Sequence, residues 1–324
     1  MSDGKNTQDL VSRRDFLTRT SLGLATAALP TLLEGQPMSP VPRRTLGRTG
    51  VSVPMLAFGC GSRFLMYEDE EAAQAVLARA VSLGVNYFDT AMDYGDGKSE
   101  ARVGRFLKTR RGDVFLATKI PGRARSRDLA LREVEASLSR LQTDHVDLLH
   151  VHSLGQADDL ARVEAKDGVL SALYELRDQK VARAIGMTSH TDGEVMAAAI
   201  ARHDLDCVQM AMNPARASAF EARALPAAQA KKLGVLLMKS TAQEKLLGPG
   251  GASAEELLRY AWSLPIAAAV VGMPRPELLE ANAAAARSFR PLSAGEMDSL
   301  SRRLAPTKAA LETYFAGHVD GSPA

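Results

Sequence analysis

From Met55 onward the chain repeats one pattern: a short apolar run, a polar or glycine-containing break, then a stretch whose apolar residues return every three or four positions. The runs are MLAFGCG, VNYFDTA, VFLATKI, HVDLLHVHS, VARAIGMTS, CVQMAM, GVLLMKS and AAAVVGM, and each reads as a strand. Between them, DEEAAQAVLARAVSLG, RDLALREVEASLSRLQ and AEELLRYAWSL read as helices, with apolar positions such as Ala75, Val76, Ala80 and Leu83. Gly84 closes the first of these, and Ser253 stands where an N-cap belongs, just before Glu255 and Glu256.

Eight strand-then-helix units in about 250 residues predict a closed (β/α)8 TIM barrel. An open doubly wound sheet would have fewer strands and a G-x-G-x-x-G turn after its first strand. FGCGSRF supplies only two of those glycines. Ahead of the barrel, RRTLGRTGVSVP alternates Val51 and Val53 around turn glycines, which predicts a short β-hairpin capping the barrel bottom.

Barrel enzymes place their chemistry at the C-terminal ends of the strands. Those ends carry Asp89 after the second strand, Lys119 after the third and His152 after the fourth; Gln209 lies in the sixth and Lys239 closes the seventh. A polar side chain on an otherwise apolar inward face is costly unless it is paired, and Asp89 and Lys119 sit on neighbouring strands. Tyr94 lies five positions beyond Asp89. A phenol is a poor acid at neutral pH, but an adjacent ammonium stabilises its anion and a carboxylate behind the lysine holds that lysine in place. With a histidine opposite to donate a hydrogen bond, these four residues make a site that protonates an oxygen as charge develops on it. Two other chemistries share residues with it. His150 and His152 fall on one strand face, as in metal-dependent barrel hydrolases, although a metal would need further ligands, for which His190 is the candidate. A Schiff-base aldolase would use Lys119 or Lys239 as nucleophile and leave Tyr94 and Asp89 partly unexplained.

FDTAMDYG, LATK and DLLHVHS resemble the catalytic segments of the aldo-keto reductases, and the similarity runs from RRTLGRTGVSVPMLAFGCG to RPELLEAN. The resemblance implies an NAD(P)H-dependent reduction of an aldehyde or ketone to the alcohol. Tyr94 would be the general acid and base, Lys119 would tune it, Asp89 would orient Lys119, and His152 would position the carbonyl. It further implies a nicotinamide-nucleotide site drawn from Gly61, Ser62, Thr188, Ser189, Gln209, Met238, Lys239, Arg275 and Asn282. Met238 stands where the family often stacks a tyrosine on the nicotinamide. Gly272 and Leu278 stand where a lysine and an arginine commonly grip the 2′-phosphate, with Arg275 as the nearby substitute. The resemblance puts NADP(H) ahead of NAD(H), and those departures leave the preference open. Some proteins of this fold bind NADP(H) without turnover and serve as regulatory subunits, so this reading stands beside the enzymatic one.

Composition alters little in this picture. A content of 46% hydrophobic and 24% charged residues suits a soluble globular protein. A formal net charge of +2 gives no reason to expect a nucleic-acid partner. Cys60 and Cys207 are widely separated and read as small buried hydrophobes. The N-terminus adds more. SRRDFLTRTSLGLATAALPTLL pairs Arg13 and Arg14 with Phe16 and Leu17 and resembles a twin-arginine export signal. Its apolar run of about 14 residues falls short of the roughly 20 that span a bilayer, so no stable membrane span is expected. Residues 1–36 therefore read as signal and linker, and 43–324 as one barrel domain. The expected partners are a small-molecule carbonyl substrate and, if the signal operates, the export machinery. The protein would then be periplasmic, and otherwise cytoplasmic. The loops 153–168 and 240–253 read as pocket walls, and Tyr314, Phe315 and His318 in the tail as surface packing.

Overall fold

A computed structural model describes residues 39–317; Arg13, Arg14 and the rest of the export-type segment, together with His318, lie outside them. Ten strands are formed among the described residues. β1 (Arg43–Thr45) and β2 (Ser52–Pro54) make the antiparallel hairpin. The others are β3 (Leu56–Gly59), β4 (Tyr87–Asp89), β5 (Phe115–Ile120), β6 (Val146–Val151), β7 (Ala182–Ser189), β8 (Cys207–Ala211), β9 (Gly234–Met238) and β10 (Ala268–Gly272). These eight pair in parallel, each with the next, and β10 pairs back onto β3 to close the barrel. All eight apolar runs named above therefore become barrel strands.

Local chemistry sets the helix ends. Asp69 caps Glu70–Ser82 by accepting from Ala72 N–H, satisfying one of the donors that a helix start leaves open. Ser253 and Glu256 form a reciprocal capping box at the start of Ala254–Ser263. Pro276 opens Pro276–Arg287 at a position where its missing N–H costs nothing.

Two apolar layers follow from the barrel. One lies between strands and helices, where Phe58, Phe88, Leu149, Ile185 and Trp262 are buried. The other fills the lower interior with Ala57, Tyr87, Ala117, Leu148, Cys207 and Leu236, and Leu46 and Val53 of the hairpin join it from below. The hairpin can approach this closely because of Gly47. Its φ is +49°, and a Cβ there would stand 2.1 Å from Gly234 N.

A third core gathers the loops after β8 and β9 with the last helices. It joins Ala217, Leu246 and Tyr260 to Leu300, Leu304, Leu311 and Phe315. Phe315 is thus buried rather than on the surface, because helix Lys308–Ala316 turns it inward beside His190, ring centres 6.3 Å apart. Beneath this core Glu221 accepts from Tyr260 Oη at 2.7 Å and faces Arg216 Nε at 3.4 Å. Burial pushes the Glu221 pKa up to about 7, against the opposing pull of Tyr260 and Arg216. A carboxyl group with a raised folded pKa supports the fold below its unfolded value of 4.5, and that support is lost as pH rises through about 7. Glu221→Gln, which cannot ionise, is therefore expected to be more stable than the unaltered protein at pH values above that range, by about 1 kcal/mol. Urea unfolding across the pH range should show the advantage shrinking toward the acid side.

Candidate active site

The turn after β4 builds one side of the site. Asp96, Gly95 and Gly97 all adopt left-handed backbone, and Gly97 N–H closes onto Met92 O at 2.8 Å. Gly97 has φ +82°, and a Cβ there would lie 2.6 Å from Arg140 Cδ. The tight turn sends Tyr94 back over the strand ends and starts helix Lys98–Leu107 immediately afterwards. On the outer face of β5, Thr118 Oγ1 donates to the buried Glu100 at 2.6 Å, and Arg140 pairs with the same carboxylate at 2.7 Å. That clamp fixes the strand from which Lys119 projects inward.

Lys119 is 1% exposed, so each hydrogen of its ammonium needs a protein partner. The three partners are Asp89 Oδ1 at 2.6 Å, Thr90 O at 2.8 Å and Tyr94 Oη at 3.2 Å. A phenol oxygen that accepts from an ammonium keeps its own hydrogen for donation. Lys119 Nζ also lies 4.7 Å from the centre of the Tyr94 ring. The His152 ring meets Tyr94 edge-on at 5.8 Å, and its Nδ1 lies 2.9 Å from Asp93 Oδ2. Asp89, Tyr94, Lys119 and His152 are thus one contiguous group, all at least nine-tenths buried.

His150, two residues below His152, is fully buried. Among the described residues neither ring nitrogen has a hydrogen-bond partner. Burial, then the charge of Lys119 and that of His152, hold its pKa well below the usual histidine range, so it is neutral. Lys119, its register neighbour on β5, makes the spot unfavourable for a cation. Among the described residues no three His, Cys, Asp or Glu side chains gather to hold a metal. No described helix is long and apolar enough to cross a membrane.

Beside the group of four opens a cavity with about 1110 Å³ of empty space, counted out to solvent. Asp89 and Tyr94 line it, and so do Gly61, Ser62, Gln209, Met238, Lys239 and Asn282. A Cβ on Gly61 would stand 3.6 Å from the Tyr94 ring, so glycine there keeps the space beside the phenol open. Gln209 is 1% exposed; its Nε2 reaches only Met238 Sδ at 3.7 Å, and its Oε1 has no partner among the described residues. Three of the expected residues lie elsewhere. Thr188 Oγ1 accepts from Ser153 N–H at 2.8 Å, and Ser189 Oγ donates to Leu154 O at 2.8 Å, so both brace the loop after β6. Arg275 is exposed at the start of its helix and does not line the cavity.

The guanidinium in the cavity wall belongs instead to Arg63, which sequence reasoning had passed over. It lies against Gly272, where an added Cβ would meet its side chain at 2.9 Å. It pairs with Glu244 at 3.2 Å, joining the loop after β3 to the loop after β9. The available signal was its position directly after Gly61-Ser62. Of the two expected pocket walls, the 240–253 loop contributes Ser240, Thr241, Gln243, Glu244 and Leu247. The 153–168 loop folds largely into helix Ala157–Glu164 and does not line this cavity.

The model of the aldo/keto reductase family matches residues 56–249, more than half of the chain. The chain belongs to the aldo/keto reductase family. Among curated relatives, L-galactose dehydrogenase of Arabidopsis thaliana is 34% identical over 164 residues, covering 47% of this chain and 49% of the relative. The aldo-keto reductase yakc [NADP(+)] of Schizosaccharomyces pombe is 30% identical over 188 residues, covering 54% and 53%. The chain thus spans about half the length of the curated relatives it matches. The holo form of aldo-keto reductase AKR11C1 from Bacillus halodurans superposes with a TM-score of 0.69 at 26% identity, covering 82% of this chain and 96% of that one. The family's closed eight-stranded barrel is the fold seen here.

The Lys119 network has a measurable energetic consequence. Lys119→Met strands the buried Asp89 carboxylate and should cost about 3–5 kcal/mol in urea unfolding. Adding Asp89→Asn should recover a substantial part of that loss, and the double-mutant cycle gives the coupling directly.

Proposed function

We propose that this aldo/keto reductase family member is an NADP(H)-dependent oxidoreductase that reduces an aldehyde or ketone to the alcohol. The observation that carries the reading is the saturation of the Lys119 ammonium by Asp89, Thr90 and Tyr94. It leaves a phenol whose oxygen is already hydrogen-bonded to a cation and whose proton can be given away.

The cavity suits a nicotinamide nucleotide. The orphaned Gln209 Oε1 matches a carboxamide donor, Gly61 leaves room beside Tyr94 for a flat ring, and Met238 supplies a polarizable surface over it. Asn282 lies among the same lining residues, and we assign it to the adenine end. Arg63 offers a guanidinium for phosphate, in place of the exposed Arg275. Thr188 and Ser189 would act by bracing the loop that follows His152, and Lys239 would close the wall beside Met238. When bound, the reduced nucleotide supplies a hydride to the carbonyl carbon. Tyr94 transfers its proton to the carbonyl oxygen as negative charge develops there, and Lys119 stabilises the phenolate left behind. His152 orients the same oxygen, and Asp89 holds Lys119 in line. NADP(H) is favoured over NAD(H) by the cavity guanidinium and by the NADP(+) in the name of the Schizosaccharomyces pombe relative.

Tyr94→Phe is expected to lower NADPH-dependent reduction across a panel of aldehydes and ketones by about 10²–10⁴-fold while NADPH still binds. Retained turnover in the variant, followed by nicotinamide absorbance, would overturn the assignment of Tyr94, whereas NADPH binding without turnover in the unaltered protein would favour a nucleotide-binding role without chemistry.

We further propose export to the periplasm, on the strength of Ser12 to Leu17 alone. Nicotinamide nucleotides belong to the cytoplasm, so the cofactor would be loaded before translocation and held tightly. Replacing Arg13 and Arg14 with lysine should abolish periplasmic accumulation, and the exported protein should purify with nucleotide bound. Equal accumulation with lysines, or nucleotide-free exported protein, would count against this.

A further inference from the structure

The inference concerns Asp93, and it rests on the carbonyl-reductase reading above. His152 Nδ1 faces Asp93 Oδ2 at 2.9 Å. An ionised carboxylate only accepts hydrogen bonds, so Nδ1 is the nitrogen that carries a hydrogen. A neutral imidazole has one such hydrogen, and with it placed on Nδ1 the other nitrogen, Nε2, can only accept. A histidine held this way donates to a carbonyl oxygen from Nε2 only as the doubly protonated imidazolium.

The surroundings favour that charged state. Burial favours the neutral acid at Asp93. The hydrogen bond and charge of His152, aided by Gly122 N–H and Arg123, outweigh it and hold the Asp93 pKa below the usual carboxylate value. Among the described residues, the cations Lys119, Arg123 and Arg125 nearby each have an anion. On β5, Lys119 is paired with Asp89. In the loop after β5, Arg123 is shared between Asp93 at 3.3 Å and Glu133 at 2.8 Å. Arg125 in that loop pairs with Asp159 at 2.7 Å and donates to His152 O at 3.0 Å. Below, on β6, His150 is neutral. On β7, Thr188 accepts from the N–H of Ser153, the residue after His152, and carries no charge. In the turn after β4 the neighbours are Asp93 itself and Tyr94. Among the described residues, Asp93 is a carboxylate that touches the His152 ring.

We propose that Asp93 is a positioning residue of the reaction. Its carboxylate holds His152 as the imidazolium, so the carbonyl oxygen meets a charged donor at Nε2 while Tyr94 supplies the proton. A charged donor makes a shorter hydrogen bond, roughly twice as strong as that of a neutral one, toward a developing oxyanion. Balance is kept: hydride comes from the nucleotide, the proton from Tyr94, and His152 gives a hydrogen bond without losing its hydrogen.

Asp93→Asn separates charge from shape, because its side-chain oxygen can still accept from Nδ1. The test compares the pH dependence of kcat at saturating NADPH in the unaltered protein, Asp93→Asn and Asp93→Glu. It adds nitrogen NMR of the His152 ring and NADPH binding. Asp93→Asn should lower kcat near neutral pH by about tenfold and move the alkaline limb to lower pH by about one unit, with NADPH affinity little changed. Asp93→Glu should restore most of both effects. The His152 ring should carry hydrogen on both nitrogens in the unaltered protein and on one in Asp93→Asn at the same pH.

An alkaline limb and ring signals identical in the two proteins would overturn the proposal. A neutral His152 in the unaltered protein would do so even if the variants fail to fold. If Tyr94→Phe is inactive while Asp93→Asn matches the unaltered enzyme, the reductase reading stands and only the role of Asp93 falls. If Tyr94→Phe stays active, the proton-donor role of Tyr94 falls and the role of Asp93 with it; if the unaltered protein reduces no carbonyl, the reductase reading itself fails.

Discussion

A buried ammonium has three hydrogens and no water to give them to, and much of the site is the solution to that constraint at Lys119. Strand register explains how the partners are reached. Asp89 on β4 lies opposite Ala117 on β5, and Lys119 projects from the same face two residues further along. The four-carbon stem therefore reaches across to Asp89 at the strand end. Thr90 then offers its carbonyl, and the left-handed turn at Gly95, Asp96 and Gly97 returns Tyr94 as the third acceptor. Taking an ion pair out of water is expensive, and full satisfaction of its donors is what makes the pair tolerable. In this arrangement the third acceptor is also the group proposed to release a proton, so the fold and the chemistry share one interaction.

The strength of that interaction depends on how dry the barrel is, and the lower half sets this. The hairpin inserts Leu46 and Val53 beneath Ala57, Leu148 and Leu236, so the inward faces are apolar at the bottom. One layer up they become polar, with Asp89, Lys119, His150 and Gln209. Charges lying over an apolar floor interact more strongly than they would in water. The hairpin supplies no polar group to the site and still shapes its electrostatics, because it helps to exclude solvent from below.

The strands were legible in the sequence because buried barrel strands read as short continuous apolar runs; Asp89, Lys119 and His152 were legible because each interrupts or ends such a run with a polar side chain, and Tyr94 because it follows Asp89 within FDTAMDYG. What escaped was carried by loops and by barrel closure. Asp93 sits beside Tyr94 in a turn with no periodicity, so nothing in the sequence directs its carboxylate toward a histidine 59 positions away. In the sequence Arg275 is the natural substitute for a phosphate-binding residue because it is three positions from Gly272. Yet the pairing of β10 with β3 brings Arg63 against Gly272 from the far end of the domain. Thr188 and Ser189 were placed on the correct strand, but their hydroxyls are occupied by the neighbouring loop, which only three-dimensional contacts reveal. Phe315 looked like tail surface because a single turn of amphipathic pattern does not say which body it faces.

The loop after β9 shows why the tail belongs in an account of the cavity. Lys239, Ala242, Gln243 and Glu244 all have positive φ, a conformation costing non-glycine residues roughly 1–2 kcal/mol each. Arg216, Ser218 and Ala219, after β8, carry the same strain. Such backbone persists only where packing over-determines it. The packing here comes from the third core, where Ala242 and Leu246 are buried with Leu300, Leu304, Leu311 and Phe315. At about 1.5–3 kcal/mol for each large apolar side chain removed from water, that core is of the right size to hold the loops in place. Tyr314 bonds directly to Gln243, a cavity-lining residue. The shape of this cavity wall, including the position of Glu244 opposite Arg63, is therefore set by helices that never enter the cavity.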